Sequence, residues 1–342
     1  MNHDSGATFN GLLDLAAASM GGKVLGANDD FFAPCENLIQ AGRGEFIPGK
    51  FTDRGKWMDG WESRRKRGPG HDWCVLELGV RGKVLGFDVD TNHFLGNHPP
   101  FASLDGLLAP KGTPLAELTG ASWRELLPQV PLRPGSQNLF VASDTEVVSH
   151  LRLNIFPDGG VARLRAYGVA HPEWDARDRD EEADAQIPGD AVDLVAARNG
   201  GLALVSSDAF FGPMNNLILP GRAADMGGGW ETRRKRLPGH DFILLRLGAR
   251  GVIGLAEVDT AHFKGNFPDR CSIEVLDAPG ARITDLVTSE SWVPILPETK
   301  LSADKRHFFR DALVAHLPAT HVRLRIYPDG GVSRLRLWGV RT

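Results

Sequence analysis

The stretch GWESRRKRGPGHDW at 60–73 returns as GWETRRKRLPGHDF at 229–242, with 11 of 14 positions identical. DVDTNHFLGNHP (88–99) returns as EVDTAHFKGNFP (257–268), and LNIFPDGGVARLRAYGV (153–169) as LRIYPDGGVSRLRLWGV (324–340). Near the start, DLAAASMGGKVLGANDDFFAPCENLI (14–39) parallels DLVAARNGGLALVSSDAFFGPMNNLI (193–218). Self-similarity on this scale constrains the fold more than any local pattern. The 342 residues must form two like units, 13–169 and 192–340, each long enough to bury its own core. The intervening 170–191 is acidic, poor in apolar residues and holds two prolines, which predicts a solvated linker.

Within each unit the hydrophobic period is two. Val322, Leu324 and Ile326 alternate with Arg323 and Arg325, PDGG supplies a turn, and Val332, Leu335 and Leu337 resume. That pattern predicts a β-hairpin around each PDGG. CVLELG (74–79), VLGFDVDT (84–91), ILLRLG (243–248) and IGLAEVDT (253–260) read as further strands. Helical periodicity is confined to DLAAASM (14–20), LAELTG (115–120) and SWRELL (122–127). Many short strands with close Gly/Pro turns predict an all-β protein of two tandem β-sandwiches or jelly rolls. The pairs Phe31-Phe32 and Phe210-Phe211, with Trp123 and Trp292, are expected in the core.

The four-cation runs suggest a nucleic-acid patch when seen alone. The formal net charge of −4 argues against it, because phosphate binding calls for a basic surplus. No stretch approaches the ~20 apolar residues of a membrane helix, and no signal layout precedes the first repeat. Cys35, Cys74 and Cys271 are odd in number and lack CxxC spacing, which points to a reducing compartment, the cytoplasm. Cys35 and Cys74 align with Met214 and Ile243, so they read as buried apolar fillers.

Two constellations carry chemistry. In the first, Glu62 or Glu231 leads into Arg64, Arg65, Lys66 and Arg67, or Arg233, Arg234, Lys235 and Arg236. Pro-Gly then turns the chain into His71-Asp72 or His240-Asp241. Arginine forks bind carboxylates and ureido oxygens in pairs, histidine titrates near neutrality, and the adjacent aspartate could orient the ring or act as base. In the second, Asp88, Asp90 and His93, or Glu257, Asp259 and His262, combine two carboxylates on one strand face with a histidine just beyond. That set could hold a divalent cation, or activate a water without one. A solvated loop and a polar strand face are the plain alternatives. Nothing resembles a dinucleotide fingerprint, P-loop, nucleophile elbow or HExxH motif, so no nucleotide cofactor is expected.

The copies also differ. Copy one alone has the loop EFIPGKFTDRGKWMD (45–59), while Asp30, Asn92 and His98 become Ala209, Ala261 and Phe267. The doubled GW-E-[ST]-RRKR-x-PGHD and [DE]VDT-x-HF-x-GN-x-P, with FIPGKFTDRGKWMDGWESRRKR in copy one, resemble the allantoicase family over nearly the whole chain. The resemblance implies galactose-binding-type sandwiches assembled as a homo-oligomer, and hydrolysis of allantoate to ureidoglycolate and urea. On that reading Glu62, Arg64, Arg65, Arg67 and Asn97, with Glu231, Arg233, Arg234, Arg236 and Asn266, contact substrate. His71, Asp72, Asp90 and His93, with His240, Asp241, Asp259 and His262, supply acid–base and water-steering groups. The competing expectation is a non-catalytic tandem module that binds a small anion or sugar.

Overall fold

The computed structural model describes residues 9, 11–174, 185–187 and 189–342. It divides into two compact units, Met1–His171 and Pro172–Thr342. Each is almost wholly β. In the first unit the strand order is Leu13–Asp14, Arg163–Ala170, Asp72–Asp90, Val147–Phe156, Phe101–Leu107, Arg124–Pro131. Lys23–Ala27 and Leu139–Val141 also pair with Asp72–Asp90. The second unit repeats this around Asp241–Asp259.

The 19-residue strand Asp72–Asp90 organises the unit. Straight, it would span about 60 Å at ~3.3 Å per residue. Yet Asp72 pairs with Ile155 and Asp90 with Arg163, and eight residue steps reach at most about 28 Å. The strand therefore doubles back. Its first half pairs with Lys23–Ala27 and Val147–Phe156 in one layer, its second with Leu139–Val141 and Arg163–Ala170 in the other. The register break comes between Val148 and His150, whose partners jump from Gly82 to Glu77. Between the layers lie fully buried Leu15, Leu76, Phe87, Leu104, Leu151 and Leu164. Their inward alternation is the period-two pattern of the sequence made physical.

Several expectations are corrected. The PDGG segments are not hairpin turns, because the flanking strands pair with opposite halves of the long strand rather than with each other. SWRELL lies in the strand Arg124–Pro131, and DLAAASM forms a short strand and one 3₁₀ turn, Ala18–Met20. The Asp14 carboxylate accepts the Ala16 and Ala166 N–H groups, which ties that chain to the sheet instead of a helix. LAELT is helical over Leu115–Thr119.

Phe31 and Phe32 are 38% and 37% exposed, and Phe210 and Phe211 62% and 60%, so neither pair is core. Their rings meet edge-to-face and offer a face to Arg64 or Arg233. Trp292 is buried, whereas Trp123 is only half-buried. Half of the linker 170–191 falls outside the described residues, but Ile187 and Ala191 pack against Leu255 and Trp338 and are not solvated. Among the described residues no helix is long and apolar enough to cross a membrane.

Candidate functional site

Doubling back brings both ends of the long strand, and so both sequence motifs, to one end of the sandwich. The PDGG segment spans that end. Asp72 N–H donates to Pro157 O, Ala162 N–H to Asp90 O, and Gly160 N–H to Asn97 O. Gly159 sits at φ +137°, where a Cβ would meet Asn97 O at 2.7 Å, so no other residue fits. Phe94 packs flat on Gly60 and Gly160, and its copy Phe263 on Gly229 and Gly331. The DTxHF turn is thereby fixed against the strand that launches the cationic run.

That run is sorted by the fold. Arg64 donates from Nε to Asp29 Oδ2 at 2.7 Å, and Lys66 Nζ lies 2.7 Å from Asp72 Oδ1. The Lys66 backbone N–H donates to Asp158 of the PDGG turn. Arg65 and Arg67 are exposed and make no side-chain hydrogen bond or ion pair among the described residues. The second repeat does the same: Arg233 meets Asp208, Lys235 meets Asp241, and Arg234 and Arg236 are exposed with no partner among the described residues. In an extended segment alternate side chains point to opposite sides. One pair in each run anchors the turn and the other is left exposed.

His71 and Asp72 separate for the same reason. The Asp72 carboxylate is 1% exposed and meets Lys66 and Asn28, not His71. It does not orient the ring. That task falls to Asn154, whose Oδ1 lies 3.3 Å from His71 Nε2, while Phe156 packs on the imidazole at 4.6 Å. Asn154 Nδ2 donates to Ser103 Oγ and to Asp105 Oδ2 at 2.8 Å, which fixes its oxygen toward the histidine. In the neutral ring this arrangement puts the proton on Nε2 and the lone pair on Nδ1. Arg152 holds Asp105 in turn.

In the second repeat Arg325 replaces Asn154 and shares Glu274 with Arg323. Burial, and then the Arg325 charge, push the His240 pKa down, so that ring is held neutral with no amide to direct it. Asp241 is committed to Lys235 and Ser207, not to His240.

The DxDTxH groups do not gather as a ligand set. Asp90 takes two hydrogen bonds from the Arg43 guanidinium, at 2.7 and 3.0 Å. Asp88 accepts from Gln137 Nε2 and Asn138 N–H, and burial pushes its pKa up to about 6, with the Asp90 charge adding to the rise. His93 has φ 68°, is exposed, and lies against Phe46. Glu257 pairs with Arg306, Asp259 accepts the Ala261 N–H, and the His262 ring bonds Ala223 O. Each of these carboxylates is bonded to a protein group, and among the described residues they form no cation-compatible cluster. Among the described residues the one cation-compatible cluster is Asp30, Cys35 and Glu36. Thr91 and Thr260 are fully buried and tie the turn to Arg133 and Ser136, or Ser302 and Lys305.

Glu62 and Asn97 do meet, with Asn97 Nδ2 donating to Glu62 Oε1 at 2.7 Å, and Asn266 and Glu231 repeat the bond. Burial raises the Glu62 pKa against that hydrogen bond. Sequence reasoning missed Asp29 and Asp158, although Asp208 and Asp329 repeat both and the self-comparison contained that signal. It missed Asn28, Arg43, Asp105 and Asn154 for want of any local pattern.

Comparison with known proteins agrees with this architecture. The sequence profile described as the allantoicase repeat matches residues 13–171 and 192–342. A probable allantoicase of Pseudomonas paraeruginosa is 50% identical over 342 residues, 99% of this chain and 98% of that one. One from Burkholderia mallei is 47% identical over 96% and 94%. The crystal structure of Saccharomyces cerevisiae allantoicase superposes with TM-score 0.78 at 34% identity, covering 96% of this chain and 93% of that one. A second allantoicase structure gives 0.80, also at 34% identity, over 97% and 94%. Two matched repeats and half-identical relatives over the full length place this chain in the allantoicase family.

Proposed function

We propose that the chain hydrolyses allantoate to ureidoglycolate and urea, with the working histidine in the first repeat. Family membership supports the reaction. The one observation that favours His71 over His240 is the Asp105–Asn154–His71 chain, in which the second repeat keeps a carboxylate, Glu274, but puts Arg325 in place of Asn154.

In the reaction the bond from the methine carbon to one ureido nitrogen breaks and a bond to water oxygen forms. One water proton ends on the departing urea nitrogen and the other stays on the new hydroxyl. His71 Nδ1 takes the proton from water and returns it to the leaving nitrogen. Asn154 and Asp105 keep the opposite nitrogen protonated throughout. Arg65 and Arg67 take the substrate carboxylate and a ureido oxygen in fork geometry, and Glu62 with Asn97 faces the ureido N–H groups. Asp90 acts through Arg43 to hold the neighbouring turn rather than by steering water. We place the enzyme in the cytoplasm as a homo-oligomer, in keeping with three free, buried thiols.

Urea release from allantoate tests the reading. His71→Ala should lose on the order of 10²–10⁴-fold in kcat, while His240→Ala keeps most turnover. Arg65→Ala with Arg67→Ala should raise KM chiefly. Allantoate binding without urea release would favour the ligand-binding module, and the reverse histidine ranking would refute the assignment to the first repeat.

A further inference from the structure

The strand Arg306–Phe309 runs beside the end of Asp241–Asp259, and its second residue is a histidine where the first repeat has Asn138. Asn138 bridges two backbone groups: its Nδ2 donates to Val89 O at 3.0 Å and its Oδ1 accepts the Arg133 N–H at 2.9 Å. His307 makes the same two bonds with a ring. Its Nδ1 lies 3.0 Å from Val258 O, and its Nε2 accepts the Ser302 N–H at 2.9 Å. An amide keeps a donor and an acceptor at every pH. An imidazole does so only while neutral, because its second proton goes onto the nitrogen that must accept. We propose that His307 is an acid-operated latch, present in the second repeat only, that releases the loop 301–305 from the DTxHF turn when its ring is protonated.

The partners leave the ring no choice of tautomer. A carbonyl only accepts and a backbone N–H only donates, so Nδ1 carries the proton and Nε2 is bare. Protonated, the ring turns a second N–H toward the Ser302 N–H, and the bond becomes a repulsion. The turn depends on this loop. Thr260 Oγ1 donates to Ser302 O at 2.7 Å and accepts the Lys305 N–H, Asp304 Oδ1 accepts the His262 N–H at 2.7 Å, and the Asp304 N–H reaches Phe263 O. Phe263 packs on Gly229, next to the short strand Trp230–Glu231 that starts the second cationic run.

The charged groups around the ring do not hold its second proton. Glu257 is paired with Arg306, Asp304 is turned to the His262 N–H, and Asp259, which favours the charged ring, faces Arg222 and is opposed by Lys305. His262 donates from Nε2 to Ala223 O, a bond that survives protonation. Burial, the largest influence, pushes the His307 pKa below its ordinary value against the pull of the Val258 carbonyl. The closed ring therefore stays neutral where the ring of an opened loop is already charged. The latch holds fully above pH ~6.5 and weakens as pH falls below it. In the first repeat the titrating neighbour is Asp88, whose raised pKa gives it the opposite sign, so acid favours the closed form there.

Amide hydrogen exchange on the full chain between pH 7.5 and 5, corrected for the intrinsic rate, tests the latch independently of allantoate turnover. Protection of residues 260–263 and 302–305 should fall by up to about tenfold per pH unit below 6.5, while 91–94 and 133–136 lose none. His307→Asn installs the residue of the first repeat, so folding should survive and the acid-dependent loss should vanish. In wild-type protein labelled with ¹⁵N-histidine, the His307 ring should carry its proton on Nδ1 at pH 7.5 and titrate below the ordinary histidine range. A ring protonated on Nε2 at pH 7.5, equal loss of protection in both repeats, or an unchanged profile in His307→Asn would overturn the proposal.

Discussion

Lys66→Met separates the anchoring cation from its free neighbours. The Asp72 carboxylate is 1% exposed, and both of its polar contacts, Lys66 Nζ at 2.7 Å and Asn28 Nδ2 at 2.9 Å, fall on Oδ1. Oδ2 is buried without a hydrogen bond. Methionine fills the volume of the lysine stem but leaves the carboxylate uncompensated, a change that costs about 3–5 kcal/mol. The first unit ends at His171, and at ~2.1 cal/mol/K per residue its unfolding entropy is about 0.36 kcal/mol/K. The expected drop in Tm is then about 8–14 °C if the unit melts alone, and about half that if both repeats melt together. Calorimetry at pH 7 should find it. Arg65→Met removes the same formal charge from an exposed, unpaired side chain and should move Tm by about 1 °C or less. Adding Asp72→Asn to Lys66→Met removes the stranded charge and should restore most of the loss. Equal effects from Lys66→Met and Arg65→Met, or no recovery in the double variant, would refute the reading of Lys66 as an internal lock.

Asp88 has a folded-state pKa raised to about 6, so it stays protonated where the unfolded chain has already ionised; stability falls as pH rises from about 4 through 6, by about 2–3 kcal/mol. Asp88→Asn should flatten that segment of the urea-midpoint profile, with the Gln137 amide turning over to keep its bond, and parallel profiles would count against it. Arg325→Asn, which copies the first repeat, should raise the His240 pKa toward its ordinary value in an NMR titration, because it removes the second-largest cause of the depression; no movement would show that burial alone sets it. Thr91→Val should cost about 1–3 kcal/mol by leaving Ser136 N–H and Arg133 O without their buried partner, read as a shifted denaturation midpoint with unchanged m-value.

The sequence by itself determined the doubling, the β class and the small-anion reading of the cationic turn. Each depends on self-similarity, composition or short-range period, which do not require knowing where the chain goes. It also contained, in its self-comparison, the paired aspartates Asp29/Asp208 and Asp158/Asp329 that hold the turn. Only the tertiary structure decided which cations are spoken for. Arg64 and Lys66 are consumed by Asp29 and Asp72, and those partners lie far apart in sequence from some of the groups they serve. Likewise, adjacency in sequence suggested Asp72 for His71, whereas an extended backbone sends neighbours to opposite sides and sheet pairing brings Asn154 in from another strand. The DxDTxH carboxylates looked free because Arg43, Gln137 and Arg306 approach them across 47 to 49 residues of chain. Long-range pairing has no local signature, and it settles which of two like repeats presents a directed histidine.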